Sequence, residues 1–202
     1  MKTIKVLAPV LLSAAMLAGG CASLQVSQDA AAGRNALQTG KPEDAVGYLR
    51  RAVEANPNYV LPNRVQESAL AFLGRAYYEV GNLPEARTTL ERAVARDKED
   101  HLARLYLGLT LIKGGEHERG RRDAEAGLKG INDWLEYVSH QGYSGQFWDP
   151  GRAIRSQIQQ ALAAMLAPAD LVVAGQRVGT QFDEEIEKAL RDEQRHSSGG
   201  NS

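Results

Sequence analysis

Apolar residues recur at helical spacing through most of the chain, and short breaks rich in glycine and proline separate these stretches. This spacing predicts amphipathic α-helices. Gly40, Gly81 and Gly115 lie at three of the breaks, where glycine can take the left-handed conformation that ends a helix. Pro42 and Pro84 follow two of them, at positions where a second helix begins. The pattern therefore predicts an all-α chain built from helix pairs.

Three segments share one register. Gly33, Gly74 and Gly108 each precede a break glycine by seven residues, and the copies are offset by 41 and then 34 residues. Small residues at such positions let two antiparallel helices approach closely. The same offsets relate Ala45, Ala86 and Gly120, then Leu49, Leu90 and Ala124, then Ala52, Ala93 and Gly127.

This register resembles the tetratricopeptide repeat, a helix–turn–helix unit of 34 residues. The resemblance covers residues 26–59, 67–100 and 101–134. It implies an α-solenoid of about three repeats over residues 26–134, which binds protein partners. Residues 135–195 are then expected to form C-terminal capping helices, and His196–Ser202 a disordered tail.

Seven extra residues, Val60–Gln66, separate the first two copies. Seven residues make nearly two helical turns, so an insertion of this length keeps a helix face in phase. We therefore expect a lengthened first helix over about Pro62–Val80, with a longer loop as the alternative.

The resemblance also implies which residues line the concave groove, because the first helix of each repeat faces it. The groove candidates are Arg34, Arg75, Tyr78, Leu102, Leu105, Leu109 and Ile112. In the third copy this helix is apolar nearly all round, which predicts burial on more than one side. Either residues 131–195 fill the groove, as expected of a solenoid end, or an apolar partner helix binds there.

An aromatic cluster opens the C-terminal third. Trp134 and Tyr137 precede a glycine-rich loop over residues 139–149, which contains three further candidates for partner binding: Tyr143, Phe147 and Trp148. The loop either anchors the C-terminal helices or presents its aromatics to a partner.

Two helices are predicted beyond the loop. The first has Asp149 as N-cap and Pro150 as its first residue and extends to about Ala167. The second starts near Pro168 and is expected to break at Gly179, since Thr180 and Asp183 have capping-box spacing.

The N-terminus combines a basic start, an apolar run over residues 6–17 and the small residues before Cys21. These features predict a secretory signal peptide over residues 1–20. Leu17–Cys21 resembles the lipobox of bacterial lipoproteins, which implies acylation of Cys21, a short lipidated tether over residues 21–25, and attachment to the outer membrane facing the periplasm.

Charge and candidate chemistry narrow the function. The chain has 24 basic and 25 acidic residues, so nothing favours a nucleic-acid partner. Its one cysteine cannot form an intrachain disulfide. The four histidines form no metal-binding motif, and we expect neither catalytic residues nor a cofactor.

We therefore expect an envelope lipoprotein that acts as a scaffold or adaptor for protein partners. The alternative is an envelope enzyme or small-ligand binder that uses residues 134–150, with His140 as the only candidate for catalysis.

Overall fold

A computed structural model describes the backbone of residues 8–199 and the side chains of residues 23–196. The side chains of the predicted signal peptide and the thiol of Cys21 lie outside the described residues. The described helices are α1 (Ala8–Gln38), α2 (Pro42–Ala55), α3 (Ala69–Glu79), α4 (Leu83–Arg96), α5 (His101–Lys113), α6 (His117–Ser139), a 3-10 helix (Tyr143–Phe147), α7 (Ala153–Ala163) and α8 (Pro168–Gly199). The prediction of an all-α fold is confirmed.

Three helix pairs, α1 with α2, α3 with α4 and α5 with α6, form the solenoid. The turns within the pairs contain Gly40, Gly81 and Gly115, whose φ angles are +70°, +80° and +90°. Glycine adopts this conformation without the steric penalty that a Cβ atom imposes. Pro42 is the first residue of α2 and Pro84 the second of α4, where an absent N–H leaves no helical bond unmade.

The shared glycines bring the paired helices together. A Cβ atom built on Gly33 would lie 2.4 Å from Cγ of Leu49, and one on Gly74 would lie 2.4 Å from Cγ of Leu90. The third pair is closer still, since a Cβ on Gly127 would lie 2.5 Å from the backbone nitrogen of Leu105. This close backbone approach explains why the third copy has glycine where the other two have alanine.

The insertion between the first two repeats does not lengthen α3, so the prediction of a helix over Pro62–Val80 is wrong. The helix begins at Ala69, after Ser68, whose hydroxyl accepts a hydrogen bond from the backbone N–H of Ala71 at 3.0 Å. The preceding residues form a loop, in which Leu61 N–H donates to the carbonyl of Glu67 at 2.9 Å. These bonds hold the backbone in a non-helical path up to the cap.

The predicted start of α7 also requires correction, because the helix begins at Ala153 and not at Pro150. Asp149 and Arg152 have φ angles of 44° and 55°, so the chain turns sharply before the helix. Asp149 still caps it from outside, since its carboxylate accepts from the backbone N–H groups of Ile154 at 3.1 Å and Arg155 at 3.2 Å. The helix ends at Ala163, short of the predicted Ala167.

The predicted break at Gly179 is absent, because α8 is continuous from Pro168 to Gly199. Gly179 is buried against α5, where a Cβ atom would lie 2.8 Å from the hydroxyl oxygen of Tyr106. The glycine thus provides close packing between helices and does not end one. The helix includes the first four residues of the expected tail, and residues 200–202 lie outside the described part of the chain.

Candidate functional site

Helix α8 covers the apolar part of the concave face of the solenoid. A Cβ atom on Gly175 would lie 2.8 Å from Leu109 and 3.2 Å from Leu105. The four apolar groove candidates are each at most 4% exposed: Leu102, Leu105, Leu109 and Ile112. Of the two occupants considered from the sequence, a segment of the chain itself fills this part of the groove.

The two arginine candidates meet a single carboxylate of α8. Arg34 donates through Nε to Oδ1 of Asp183 at 2.7 Å and through Nη2 to its backbone carbonyl at 3.1 Å. Arg75 donates through Nη1 to Oδ2 of Asp183 at 3.3 Å. The three side chains are 7%, 3% and 1% exposed for Arg34, Arg75 and Asp183, so water screens these ion pairs little.

Each arginine has a second carboxylate at the rim. Arg34 also pairs with Glu187, and Arg75 donates through Nε to Glu79 at 2.7 Å. Burial by itself would lower the pKa of Arg75, but the neighbouring charges outweigh it and the net effect is a raised pKa. Both guanidinium groups therefore remain charged and are engaged within the chain.

Tyr78 is buried beside this cluster. Its ring packs edge-on against Tyr106 with centroids 5.5 Å apart, and Nζ of Lys113 lies 4.1 Å from its centroid. The Tyr78 hydroxyl has no hydrogen-bond partner among the described residues. Burial raises its pKa, so it remains protonated.

A second set of buried carboxyl groups lies where α3 and α5 begin. Asp100 caps α5 by accepting from Ala103 N–H at 3.0 Å, and it also accepts from the Ser68 hydroxyl at 2.7 Å. Glu67 is 2% exposed and accepts from Asn63 at 3.3 Å through Oε2 only. Burial is the main reason that the pKa of Glu67 rises to about 8, and the charge of Asp183 adds to it.

Part of the concave face remains open beyond the edge of α8. A polar pocket of about 380 Å³ lies at the carboxyl ends of α1, α3 and α5. Its lining includes Gln38, Glu79 and Lys113 from these helix ends, and Gln176 and Glu184 from α8. Solvent reaches these polar groups, unlike the leucines beneath α8.

The aromatic residues of the loop differ in role: one anchors the C-terminal helices, and two are accessible to a partner. Trp148 is fully buried, donates through Nε1 to Glu193 at 2.9 Å and packs edge-on against Trp134 at 4.9 Å. Trp148 thus anchors α8 to the solenoid. Tyr143 is 69% exposed, and the half-buried Phe147 stacks on His196 at 4.9 Å. These two rings lie at the surface.

The described residues offer little catalytic or metal chemistry. His140 is exposed, and its Nδ1 lies 2.7 Å from the carbonyl oxygen of Glu136. Within residues 23–196, no three His, Cys, Asp or Glu side chains are grouped so that they hold a metal ion. No described helix is long and apolar enough to cross a membrane.

Asp183, which joins α8 to the groove, was not among the site residues predicted from the sequence. A signal was present, because Gly175, Gly179, Asp183 and Glu187 follow one another at intervals of four. Residues four apart share a helix face. Two glycines followed by two acids on one face indicate a close approach to a basic surface.

The fold is a tetratricopeptide-type α-solenoid in which a C-terminal helix covers the apolar part of the concave face. A model of the tetratricopeptide repeat family matches residues 36–109, and the match supports that family. Tetratricopeptide repeats generally mediate protein–protein interactions, and proteins built from them are typically non-enzymatic. No curated protein and no solved structure matches the chain.

Proposed function

We propose that this chain is an envelope lipoprotein, acylated at Cys21, that acts as a scaffold or adaptor for protein partners. The observation that carries the proposal is the array of three helix pairs, because this repeat type provides extended surfaces for protein partners. The lipobox resemblance at Leu17–Cys21 supports the anchor. Several acyl chains bind a soluble domain firmly to a membrane, since each buried methylene contributes roughly 0.8 kcal/mol.

The partner surface in this proposal is the part of the concave face that α8 leaves open. Its polar pocket lies at the ends of three successive first helices, so one partner segment contacts all three repeats. The exposed Tyr143 and half-buried Phe147 provide a second contact region of the type that anchors interfaces.

Site-specific photocrosslinking in cells tests the partner surface. A photoreactive residue at Gln38 or Gln176, both at the pocket, is expected to give a discrete crosslinked product. The matched control is the same residue at Glu54, which is exposed on α2. Equal crosslinking at all three positions, or none at any, contradicts the proposed surface.

Cell fractionation tests the anchor separately. The Cys21→Ser variant is expected to leave the membrane fraction and to lack the mass of the acyl chains. Unchanged membrane association of this variant contradicts the lipoprotein proposal. The proposed partner surface is tested independently by the crosslinking experiment.

A further inference from the structure

Glu67, Asp100, Asp183, Arg34 and Arg75 form a buried cluster, here called the acidic junction, where α8 crosses the first helices of the repeats. All five residues are buried, each at most 7% exposed. With Glu67 protonated, the two arginines balance the two aspartates. Ionisation of Glu67 adds a negative charge for which the described cluster holds no third cation, since Glu79 and Glu187 at the rim are acidic too.

The surroundings of Glu67 do little to stabilise a negative charge on its carboxyl group. Its Oε1 is buried without a hydrogen-bond partner among the described residues, and its Oε2 has a single amide donor. A carboxylate ordinarily accepts several hydrogen bonds when it is buried. The environment of this side chain is therefore suited to the neutral acid.

Charged and titratable groups face Glu67 from each element around it. Arg34 acts from α1 and Asp183 from α8, while Asp100 acts from the start of α5. Asp100, His101 and the exposed Glu99 line the same small cavity of about 20 Å³ as Glu67. Burial raises the pKa of Asp100 and lowers the pKa of His101. Of these groups Arg34 alone is a strong base, and it already donates to Asp183.

The contact of Glu67 with solvent depends on α8. Phe182 of α8 lines the cavity beside Glu67 and is itself 1% exposed. When α8 leaves the groove, this aromatic ring leaves with it and water reaches the carboxyl group.

We propose that the acidic junction makes α8 a pH-sensitive cover of the concave face, held in place while Glu67 is protonated and loosened when Glu67 ionises. Ionised Glu67 repels Asp183 and competes with it for Arg34. Both effects weaken the same ion pair, which joins α8 to the first repeat.

The direction follows from proton linkage. With α8 in place, Glu67 holds its proton up to its pKa of about 8, whereas a solvated carboxyl releases it near the ordinary pKa of 4.5. Rising pH between these values favours the state that has lost the proton, which is the loosened one. The opening equilibrium is thus expected to increase by up to tenfold per pH unit from about pH 5 to pH 8, and to level off above.

Hydrogen–deuterium exchange of the full-length chain, corrected for the intrinsic pH dependence of exchange, tests this at α8 itself. Between pH 5.5 and 8 the protection factors of peptides from residues 176–190 are expected to fall by up to tenfold per pH unit. Peptides from α4 serve as the internal reference and are expected to keep theirs.

Glu67→Gln is expected to abolish the pH dependence at α8, because a neutral amide replaces the titrating acid. The matched control is Glu187→Gln, which removes a rim carboxylate and is expected to retain the pH dependence. A constant wild-type protection factor, or an equal fall in Glu67→Gln, overturns the proposal. If Glu67→Gln does not fold, ¹³C titration of the wild-type Glu67 carboxyl decides: an ordinary midpoint near pH 4.5 also overturns it.

Discussion

Replacing Asp183 by asparagine tests whether the two groove arginines hold α8 against the solenoid. Asparagine keeps the size of the side chain and removes its charge. Arg34 and Arg75 then remain buried, with the shared carboxylate gone. The variant therefore isolates the electrostatic contribution of one residue at the centre of the concave face.

The expected loss follows from the burial of the three groups. Removing one partner of a buried ion pair typically costs about 3–5 kcal/mol. Each arginine keeps a rim carboxylate, Glu187 for Arg34 and Glu79 for Arg75. We therefore expect the lower end, about 3 kcal/mol. For a chain of this size, roughly 2–4 °C per kcal/mol makes this a fall in Tm of about 6–12 °C.

Thermal and urea unfolding followed by far-UV circular dichroism measure this loss. The matched control is Asp192→Asn on the same helix, since Asp192 has a 32% exposed side chain and, among the described residues, forms an ion pair with Arg195 alone. A surface pair of this kind contributes about 0–1 kcal/mol. If both variants lose less than 1 kcal/mol, the arginines do not hold α8.

A double-mutant cycle makes the test specific to the ion pair. Arg75→Met is expected to destabilise the wild type more than it destabilises Asp183→Asn, because the second background has already lost the partner. Equal effects in the two backgrounds refute a direct interaction, whatever the size of the single losses.

Four further variants test the packing of the C-terminal helices. Gly179→Leu is expected to push α8 away from Tyr106, since even a Cβ atom there would lie 2.8 Å from its hydroxyl; dye binding to exposed apolar surface should rise and Tm should fall. Trp148→Ala is expected to cost about 3–5 kcal/mol in chemical unfolding because the side chain is fully buried. Glu193→Gln retains the acceptor for the Trp148 Nε1–H and loses the charge of the partly exposed pair with Arg64, so it should cost about 1 kcal/mol. Asp149→Ala removes the outside cap of α7 and the partner of a buried guanidinium, so amide exchange in α7 is expected to accelerate, and unchanged exchange would contradict the capping role.

The repeat portion was predictable because its signals are local. Gly40 ends a helix through its own backbone conformation, and Gly33 allows close packing against a residue only 16 positions away. Such features repeat with the register, so three copies strengthen one another in the sequence. The all-α fold and the helix pairs follow from them.

The insertion at Val60–Gln66 and the start of α7 were mispredicted because distant groups decide their conformation. Arg64 in the insertion donates to Ser144 at 2.9 Å, 80 positions along the chain. Helical periodicity alone favoured a longer α3, because it reflects the spacing of neighbouring residues and not contacts with distant ones. At α7, the backbone N–H of the left-handed Asp149 donates to Glu185 at 2.7 Å, 36 positions along the chain, so the helix starts only at Ala153 and Asp149 caps it from outside.

The sequence by itself determined the helix pairs, the positions of their turns and the apolar character of the third groove helix, because neighbouring residues suffice to specify each. Only the tertiary structure decided what covers that groove. The ion pair between Arg34 and Asp183 joins residues 149 positions apart, and its strength depends on burial that neither segment provides alone. The acidic junction has the same origin, since the pKa of Glu67 is raised by burial and charge that arise only when α8, α1 and the start of α5 meet.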